Sequence, residues 1–512
     1  MTSTLVRGKA IICKVDRHNR PVLVEDGAVL VRGGVITAVG RFAELSRRND
    51  AKVVGSPEHV VTPGFVNAHH HVGMTPLQLG SPDLPLELWI VRRIAARAVD
   101  PYLDTMYSAF ELIESGVTTV QHLHGRVPRP VDKATEVSGR VIRAYEDIGM
   151  RVSYSFGLRD QNRVVYEADE KFLASLPADI APSAAAYVGE QTFSLEESFE
   201  VFERLFERYR DAARVKIQLA PVNLHWCSDR AITRTAETAR RYKITMHMHL
   251  LETALQKEYA MRRTGGSPVR HLQRLGALGQ DMTLGHGVWL TQDDIGLVAE
   301  TGTAICHNCS SNFRLRSGVA PLNALRSSGV RVALGIDEAG INDDRDMLQE
   351  MRLALRVHRV PGLEEEEVPS CAEIFRMATQ DGATTTPFGD SIGVIEAGRA
   401  ADLVLFDWGK IASPYLSPDV PVLEAVMQRA RRDAVDAVMV AGEIIYEVGR
   451  FTRVDRGALT EELAALLGRE PNETDQRNRE IGLRLLEEAR RFYRGYVRED
   501  GRTPFYAPSS RV

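Results

Sequence analysis

From about Val60 onward, short apolar runs rich in Val, Ile, Leu and Thr alternate with longer segments whose apolar positions recur every three or four residues. The runs that read as strands are VVTPGFVNAHHH, GVTTVQHLHG, MRVSYSFGL, RVKIQLAPVNL, ITMHMHLLET, MTLGHGVWL, TAICHNCSSN and VRVALGIDEAG. Between them, YLDTMYSAFELIES, SFEVFERLFERYRDAA, SDRAITRTAETARRY, SPVRHLQRLGAL and DDIGLVAETG carry the helical period. Eight strands separated by helices predict a closed parallel barrel. The first sixty residues read instead as short strands, LVRGKAIICKVD and VLVEDGAVLVRGGVITAVGR, with turn signals at Glu25-Asp26-Gly27 and Gly33-Gly34. After the eighth strand two helices are predicted, DMLQEMRLALRVHR and SCAEIFRMATQDGATTT, and then IGVIEAGRAADLVLFD and AVDAVMVAGEIIYEVGR return to strands. The expected architecture is α/β: a (β/α)8 TIM-type barrel over 62–389, a small β-sandwich built from both chain ends (1–61 and 390–455), and a helical tail over 456–512.

Composition narrows the class. The 512 residues hold 64 Lys and Arg against 69 Asp and Glu, a formal charge of −5. That leaves no cationic surplus to neutralise a phosphate backbone, so nucleic acid has no electrostatic support as a partner. A hydrophobic share of 44% with 26% charged residues is that of a globular chain rather than a disordered one. Arg7, Lys9, Lys14, Asp16 and Arg17 interrupt Met1–Asn19 before an apolar run can form a signal peptide. No stretch approaches the roughly 18 uninterrupted apolar residues of a membrane helix. Five cysteines make no disulfide framework in so long a chain. The expectation is a soluble cytoplasmic protein that acts on a small molecule and binds neither nucleic acid nor membrane.

In a barrel of this kind the chemistry sits at the C-terminal ends of the strands, and here those ends gather metal-ligand residues. The first strand ends in His69-His70-His71. Alternate residues of a strand share a face, so His69 and His71 point together into the barrel and His70 points away. The fifth strand offers His249 with Glu252 just beyond it, the sixth His286, and the eighth Asp337. Any one of these histidines alone reads as a buried structural residue. Imidazoles and a carboxylate at four strand ends, in this order, read as a site for a borderline cation with a position left for water.

Together PGFVNAHHH, HLLET, GHGVWL, HNCSSNFRLRSGVAP and LGIDEAGINDDRDMLQEMR resemble the amidohydrolase superfamily. The resemblance is to its deaminase and chlorohydrolase branch, which includes S-adenosylhomocysteine deaminases, guanine deaminases and s-triazine hydrolases. It runs from Leu5 to about Arg450, since GVIEAGRAADLVLFD matches the family's closing sandwich segment. The resemblance implies His69, His71, His249 and Asp337 as metal ligands, Glu252 as the proton-shuttling glutamate, and His286 as the histidine that polarises the reacting centre. Asp337 is then also catalytic, as acceptor of the water's proton. It further implies one divalent transition metal per chain (zinc, with ferrous iron as the alternative) and a homo-oligomer, dimer or higher. Two-metal relatives carry a bridging carboxylated lysine at the end of strand four. Here the only lysine of that strand, Lys216, is near its start and the end reads Pro221-Val222-Asn223, so a single metal is expected.

The sequence departs from the branch pattern at Cys309, Arg316, Glu338, Asp343 and Asp344. Asp343 and Asp344 read either as a helix start, where acidic residues favour the first turn, or as an acidic mouth for a cationic substrate. The CxxC of Cys306 and Cys309 has no second pair and no thioredoxin-like context, so it is set aside as a zinc or redox motif. His307 is expected to face substrate, as the matching family position does, with Asn312 in the same stretch. His122 and His124 have a metal-like spacing but read as pocket lining, and His247 as a packed core histidine. The segment after the first histidine pair reads either as a loop over the site with Leu84, Leu86 and Trp89 beneath it, or as a surface helix anchored by Trp89. Substrate contacts are thus expected from His122, His124, Trp89, His307, Asn312, Glu338 and Asp343.

The function expected is hydrolysis at an electrophilic carbon of a nitrogen heterocycle, releasing ammonia, an amine or another leaving group. The alternative keeps the site and attacks an amide, carbamate or urea carbonyl. A catalytically dead scaffold is the third reading, and it is disfavoured because the ligand set is complete.

Overall fold

The structure is a computed structural model describing residues 3–47, 50–71, 73–125 and 127–497. Five strands open the chain: β1 (Ser3–Val15), β2 (Pro21–Arg32), β3 (Val35–Arg41), β4 (Lys52–Gly55) and β5 (His59–Pro63). The barrel follows as β6 (Phe65–His70), β7 (Val117–His124), β8 (Arg151–Leu158), β9 (Val215–Ile217), β10 (Ala220–Pro221), β11 (Met246–Leu250), β12 (Met282–His286), β13 (Ala304–His307) and β14 (Val332–Leu334). Last come β15 (Leu403–Asp407), β16 (Val435–Val440), β17 (Glu443–Glu447) and β18 (Arg450–Phe451).

All barrel pairings are parallel. β6, β7 and β8 form one arc, with β9 and β10 both on β8, and β11 to β14 form the other. Bridges at Leu219–Met246 and Asn223–His249 join the arcs on one side, and His70–Asp337 joins them on the other. The ring therefore has eight positions, the fourth split between β9 and β10. The split falls at Gln218, whose side chain turns inward to accept from Gln121 Nε2 at 2.7 Å. β14 is shorter than its apolar run because the chain leaves the ladder at Gly335. A Cβ there would lie 2.5 Å from the Cβ of His69 and from Asn308 Oδ1, so only glycine lets β14 close against β6.

The strands from the two chain ends make one nine-stranded sheet, ordered β18-β17-β16-β15-β5-β1-β2-β3 with β4 also on β1. Alternation divides its faces. Ile11, Val61, Leu403 and Leu405 build the sheet's own apolar cluster. Ile12, Val60, Val404 and Phe406 join the barrel core, where Phe406 lies 6.2 Å from Phe65 between ring centroids. The turn expected at Glu25-Asp26-Gly27 does not form. β2 continues through it with its register to β1 kept, Gly27 opposite Gly8 and Glu25 opposite Ala10, while Asp26 between them takes a φ of +40° and both acids are exposed. Gly33-Gly34 is the hairpin turn.

The segment after the first barrel strand satisfies both readings of it. Leu86–Arg92 is a helix, and it lies over the barrel mouth with Leu86 and Trp89 buried. The tail forms helices Arg456–Leu467 and Glu473–Tyr493, and residues 498–512, expected to belong to it, lie outside the described residues. The second tail helix packs Ile481, Leu485 and Ala489 against Val91, Ile94, Val164 and Phe172. Its Gly482 sits where a Cβ would be 2.5 Å from Ala95 N, so the two backbones meet directly. Among the described residues no helix is long and apolar enough to cross a membrane. All five cysteines are buried and unbridged.

Candidate active site

Three barrel positions deliver three imidazoles and a carboxylate to one point. The Nε2 atoms of His69 and His71 are 3.0 Å apart, and those of His71 and His249 are 3.1 Å apart. Asp337 Oδ1 lies 3.2 Å from His71 Nε2 and 3.7 Å from His69 Nε2. The far nitrogens are tied to the scaffold: His71 Nδ1 donates to the Leu123 carbonyl at 2.5 Å and His249 Nδ1 to the Val222 carbonyl at 2.8 Å. Those bonds fix the tautomer, so the Nε2 lone pairs point at one another. His69 Nδ1 meets His247 Nε2 at 2.8 Å. His247 is thus buried, as expected, but it also orients His69; its i−2 spacing from His249 was the available signal.

Burial, reinforced by the neighbouring imidazoles, drives the pKa of His69 well below its ordinary value and that of His249 to about 3. Burial also opposes the charged forms of His71 and Asp337. Their mutual hydrogen bond and attraction overcome it, lifting His71 and holding Asp337 well below the carboxylate range. Ser311 Oγ adds a 2.6 Å bond to Asp337 Oδ2. Both Asp337 (φ +65°) and His286 (φ +71°) are held in the left-handed region, a strained conformation for side-chain-bearing residues that concentrates at functional sites.

Glu252 stands beside this cluster, its Oε2 3.6 Å from His286 Nε2. Burial, then the charges of Asp337 and Glu87, raise its pKa well above normal. Its loop is locked: Gln256 Oε1 accepts from Glu252 N at 2.8 Å, and Thr253 caps the helix Ala254–Thr264. The Thr253 hydroxyl also donates to Glu87 of the mouth helix, which accepts a second bond from Tyr166 OH at 2.9 Å. Tyr493 OH in the tail accepts from Tyr166 N at 3.1 Å, so the tail, the mouth helix and the Glu252 loop form one chain of contacts. Sequence reasoning missed Glu87, Thr253 and Tyr166, because nothing local pairs residues so far apart.

A cavity of about 280 Å³ opens over Glu252, His71, His249, His286 and Asp337. Trp89, His124 and Glu338 line it, as do Arg93, Arg159 and Trp226, which were not foreseen. Four other expected contacts are not among its lining residues. His122 hydrogen-bonds Tyr145 OH at 2.8 Å on the outer side of the strand, and His307 pairs with His358 at 3.0 Å. Asn312 accepts from His286 Nδ1 at 2.9 Å, behind the ring. Asp343 is taken up by Arg314 and by Thr75 Oγ1, both at 2.8 Å, and Asp344 by Arg432 at 3.2 Å.

A closed parallel barrel with imidazoles and a carboxylate converging at its strand ends, beneath a cavity, defines an enzyme of the barrel hydrolase class. The chain belongs to the amidohydrolase family, whose sequence pattern matches residues 60–445; a bacterial imidazolonepropionase-like composite domain matches residues 27–50. A 5-methylthioadenosine/S-adenosylhomocysteine deaminase of Thermococcus kodakarensis is 30% identical over 442 residues, covering 83% of this chain and 93% of the relative. The protein of that name from Syntrophobacter fumaroxidans is 29% identical, covering 83% and 90%. Among solved structures, an adenosine deaminase from Xanthomonas campestris with bound zinc superposes with a TM-score of 0.76 at 27% identity, over 91% of this chain and 97% of that one. The atrazine chlorohydrolase of Arthrobacter aurescens TC1, complexed with zinc, has a TM-score of 0.78 at 22% identity, over 91% and 100%, and shares the fold. The chain is accordingly a hydrolase acting on non-peptide carbon–nitrogen bonds.

Proposed function

We propose that the protein is an aminohydrolase with one divalent transition metal, zinc or ferrous iron, held by His69, His71, His249 and Asp337. It attacks an amino-bearing carbon of a nitrogen heterocycle and releases ammonia. The observation that carries this reading is the convergence of three imidazole Nε2 atoms and one carboxylate on the floor of a cavity that also exposes Glu252. Lone pairs facing one another at about 3 Å repel unless a cation lies between them, and three imidazoles with a carboxylate are a donor set that zinc or ferrous iron accepts. Lys216, whose Nζ reaches the Arg210 carbonyl near the surface, is not available to bridge a second metal.

When bound, the cation supplies Lewis acidity, lowering the pKa of a water from about 15.7 to about 7. Asp337 accepts that water's proton, and Ser311 steadies its other oxygen. Glu252, whose burial favours its protonated form, would deliver its proton to the ring nitrogen; the water's proton taken up by Asp337 would pass to the leaving amine, and Glu252 would recover a proton from the new hydroxyl as the carbonyl forms. His286, its Nδ1 fixed by Asn312, presents Nε2 to the reacting centre. The names of the relatives favour 6-aminopurine nucleosides among the heterocycles. The same reading takes 62–389 as the catalytic unit, supported by the sheet of 1–61 and 390–455 and the tail 456–512, and places a homo-oligomer in the cytoplasm.

The test is to measure ammonia release from purines, pterins and triazines, and amine release from ureas and carbamates, with metal analysis of the same sample. Ammonia from a purine at close to one metal per chain is the expected result. Turnover confined to ureas or carbamates transfers the site to carbonyl chemistry. Two metals per active chain, or full activity after exhaustive chelation, overturns the metal assignment.

A further inference from the structure

One acid of the cavity wall is half satisfied. Glu338 directly follows Asp337, is only 7% exposed, and lines the cavity. Its Oε1 is held by the Arg93 guanidinium, which itself lies over the Trp89 ring at 4.7 Å from the centroid. The backbone is anchored too, since Arg345 Nη2 donates to the Glu338 carbonyl at 3.2 Å. Oε2 is buried and has no hydrogen-bond partner among the described residues. A carboxylate oxygen accepts and never donates when ionised, and leaving one unpaired in a buried place costs free energy that a ligand's donor can return. Asp343 and Asp344, the acids that the sequence offered as a substrate-attracting mouth, pair with Arg314 and Arg432; Asp344 Oδ1 is likewise buried without a partner among the described residues, but neither acid lines the cavity.

We propose that Glu338 is a substrate-recognition residue, its Oε2 accepting a hydrogen bond from an N–H or O–H group that the substrate carries besides the bond being broken. The proposal rests on the reading of this cavity as the aminohydrolase site. Arg93 balances the charge of Glu338, so the residue selects a neutral hydroxyl or amine donor rather than requiring a cation. Glu338 and Glu252 line the same cavity, Glu252 with its Oε2 3.6 Å from His286 Nε2, so one acid is assigned to the chemistry and the other to recognition.

Adenosine and its 2′-deoxy, 3′-deoxy and 5′-deoxy analogues keep the heterocycle and remove one donor at a time, and they are the probes to use on the metal-loaded enzyme. For the wild type, one of the three deletions should lower kcat/KM by about 10- to 100-fold, the worth of a hydrogen bond to a charged group. In Glu338→Ala the same deletion should cost less than threefold. Glu338→Gln keeps the shape and the Arg93 contact but turns a donor toward the cavity, so it should also lose the preference, with metal content unchanged. Equal discrimination by all three proteins overturns the proposal, as does loss of metal from Glu338→Gln. A wild type that turns over none of the four probes removes adenosine-type nucleosides as substrates, and the aminohydrolase reading itself falls only if purines, pterins and triazines release no ammonia either. Calorimetric Kd values for adenosine then decide on Glu338: weakening of about tenfold in Glu338→Ala sustains it, and equal or unmeasurable binding overturns it.

Discussion

The floor and the wall of the cavity are built by different means. On the floor, His71 and His249 are fixed by backbone carbonyls of adjacent barrel positions, Leu123 and Val222, so the ladder that holds the barrel also aims these proposed ligands. On the wall, Trp89, Arg93 and Trp226 come from segments outside the strands and are held by side chains: Glu87 to Tyr166 and Thr253, and Arg93 to Glu338. A floor tied to the ladder tolerates little change, because moving a ligand means moving a strand. A wall tied by side chains can be rebuilt one residue at a time, which is how one fold comes to host many substrates.

The contrast is sharpest at the ligands themselves. His249→Ala should lose both metal and activity, a fall on the order of 10⁴ or more in kcat, checked by elemental analysis beside the assay. Glu252→Gln should keep the metal and lose on the order of 10² to 10⁴ in kcat, with KM changing far less. Release of the metal by Glu252→Gln would make that residue a ligand, and near-normal turnover would remove it from proton transfer. Beneath the floor, Glu350 accepts bonds from Ser310 N and Oγ, and burial raises its pKa from 4.5 to about 7. The folded state therefore holds the proton more tightly than the unfolded chain. Stability from this group is complete below pH 4.5 and is lost as pH rises to about 7, on the order of 3 kcal/mol in all. Urea titrations at pH 5 and pH 8 should show that loss in the wild type and a flatter profile in Glu350→Gln.

A cut in the wall should read differently. Glu87→Leu strands the Thr253 and Tyr166 hydroxyls, and we expect KM to rise about tenfold while the metal stays bound. Loss of metal from this variant would show that floor and wall are one unit, and the comparison would fail. The smallest effect is expected from replacing Asp343 and Asp344 together with Asn. Both are partly exposed and already paired with arginines, so KM should hold and stability should fall by up to about 1 kcal/mol. A raised KM with weaker salt dependence would restore the acidic mouth.

What could be read along the chain follows the same division. Period-two alternation placed His69 and His71 on one face, and the alternation of strands with helices announced the barrel, because both are local patterns. The pairing of His69 with His247 joins the first and fifth of the eight barrel positions across the interior, and only closure of the ring creates it. His122 shows the limit of a spacing argument. Its i, i+2 relation to His124 was legible, but the register that sets it opposite His70, on the outer face, was not. Glu25-Asp26-Gly27 carried a turn's composition yet lies within a strand, since continuous pairing with β1 outweighs local turn preference. The wall was least legible of all, because Glu87, Tyr166 and Tyr493 come from three distant segments.

The helix Glu473–Tyr493 also sets an order of manufacture. During synthesis it leaves the ribosome after every barrel strand, so a nascent chain has its metal-binding floor before its wall is complete. Until that helix arrives, Val91, Ile94, Val164 and Phe172 lack their partners Ile481, Leu485 and Ala489. An apolar patch is then open on an otherwise finished barrel, the kind of surface through which incomplete chains stick to one another. This helix is thus what covers the apolar side of the mouth once the barrel strands are in place.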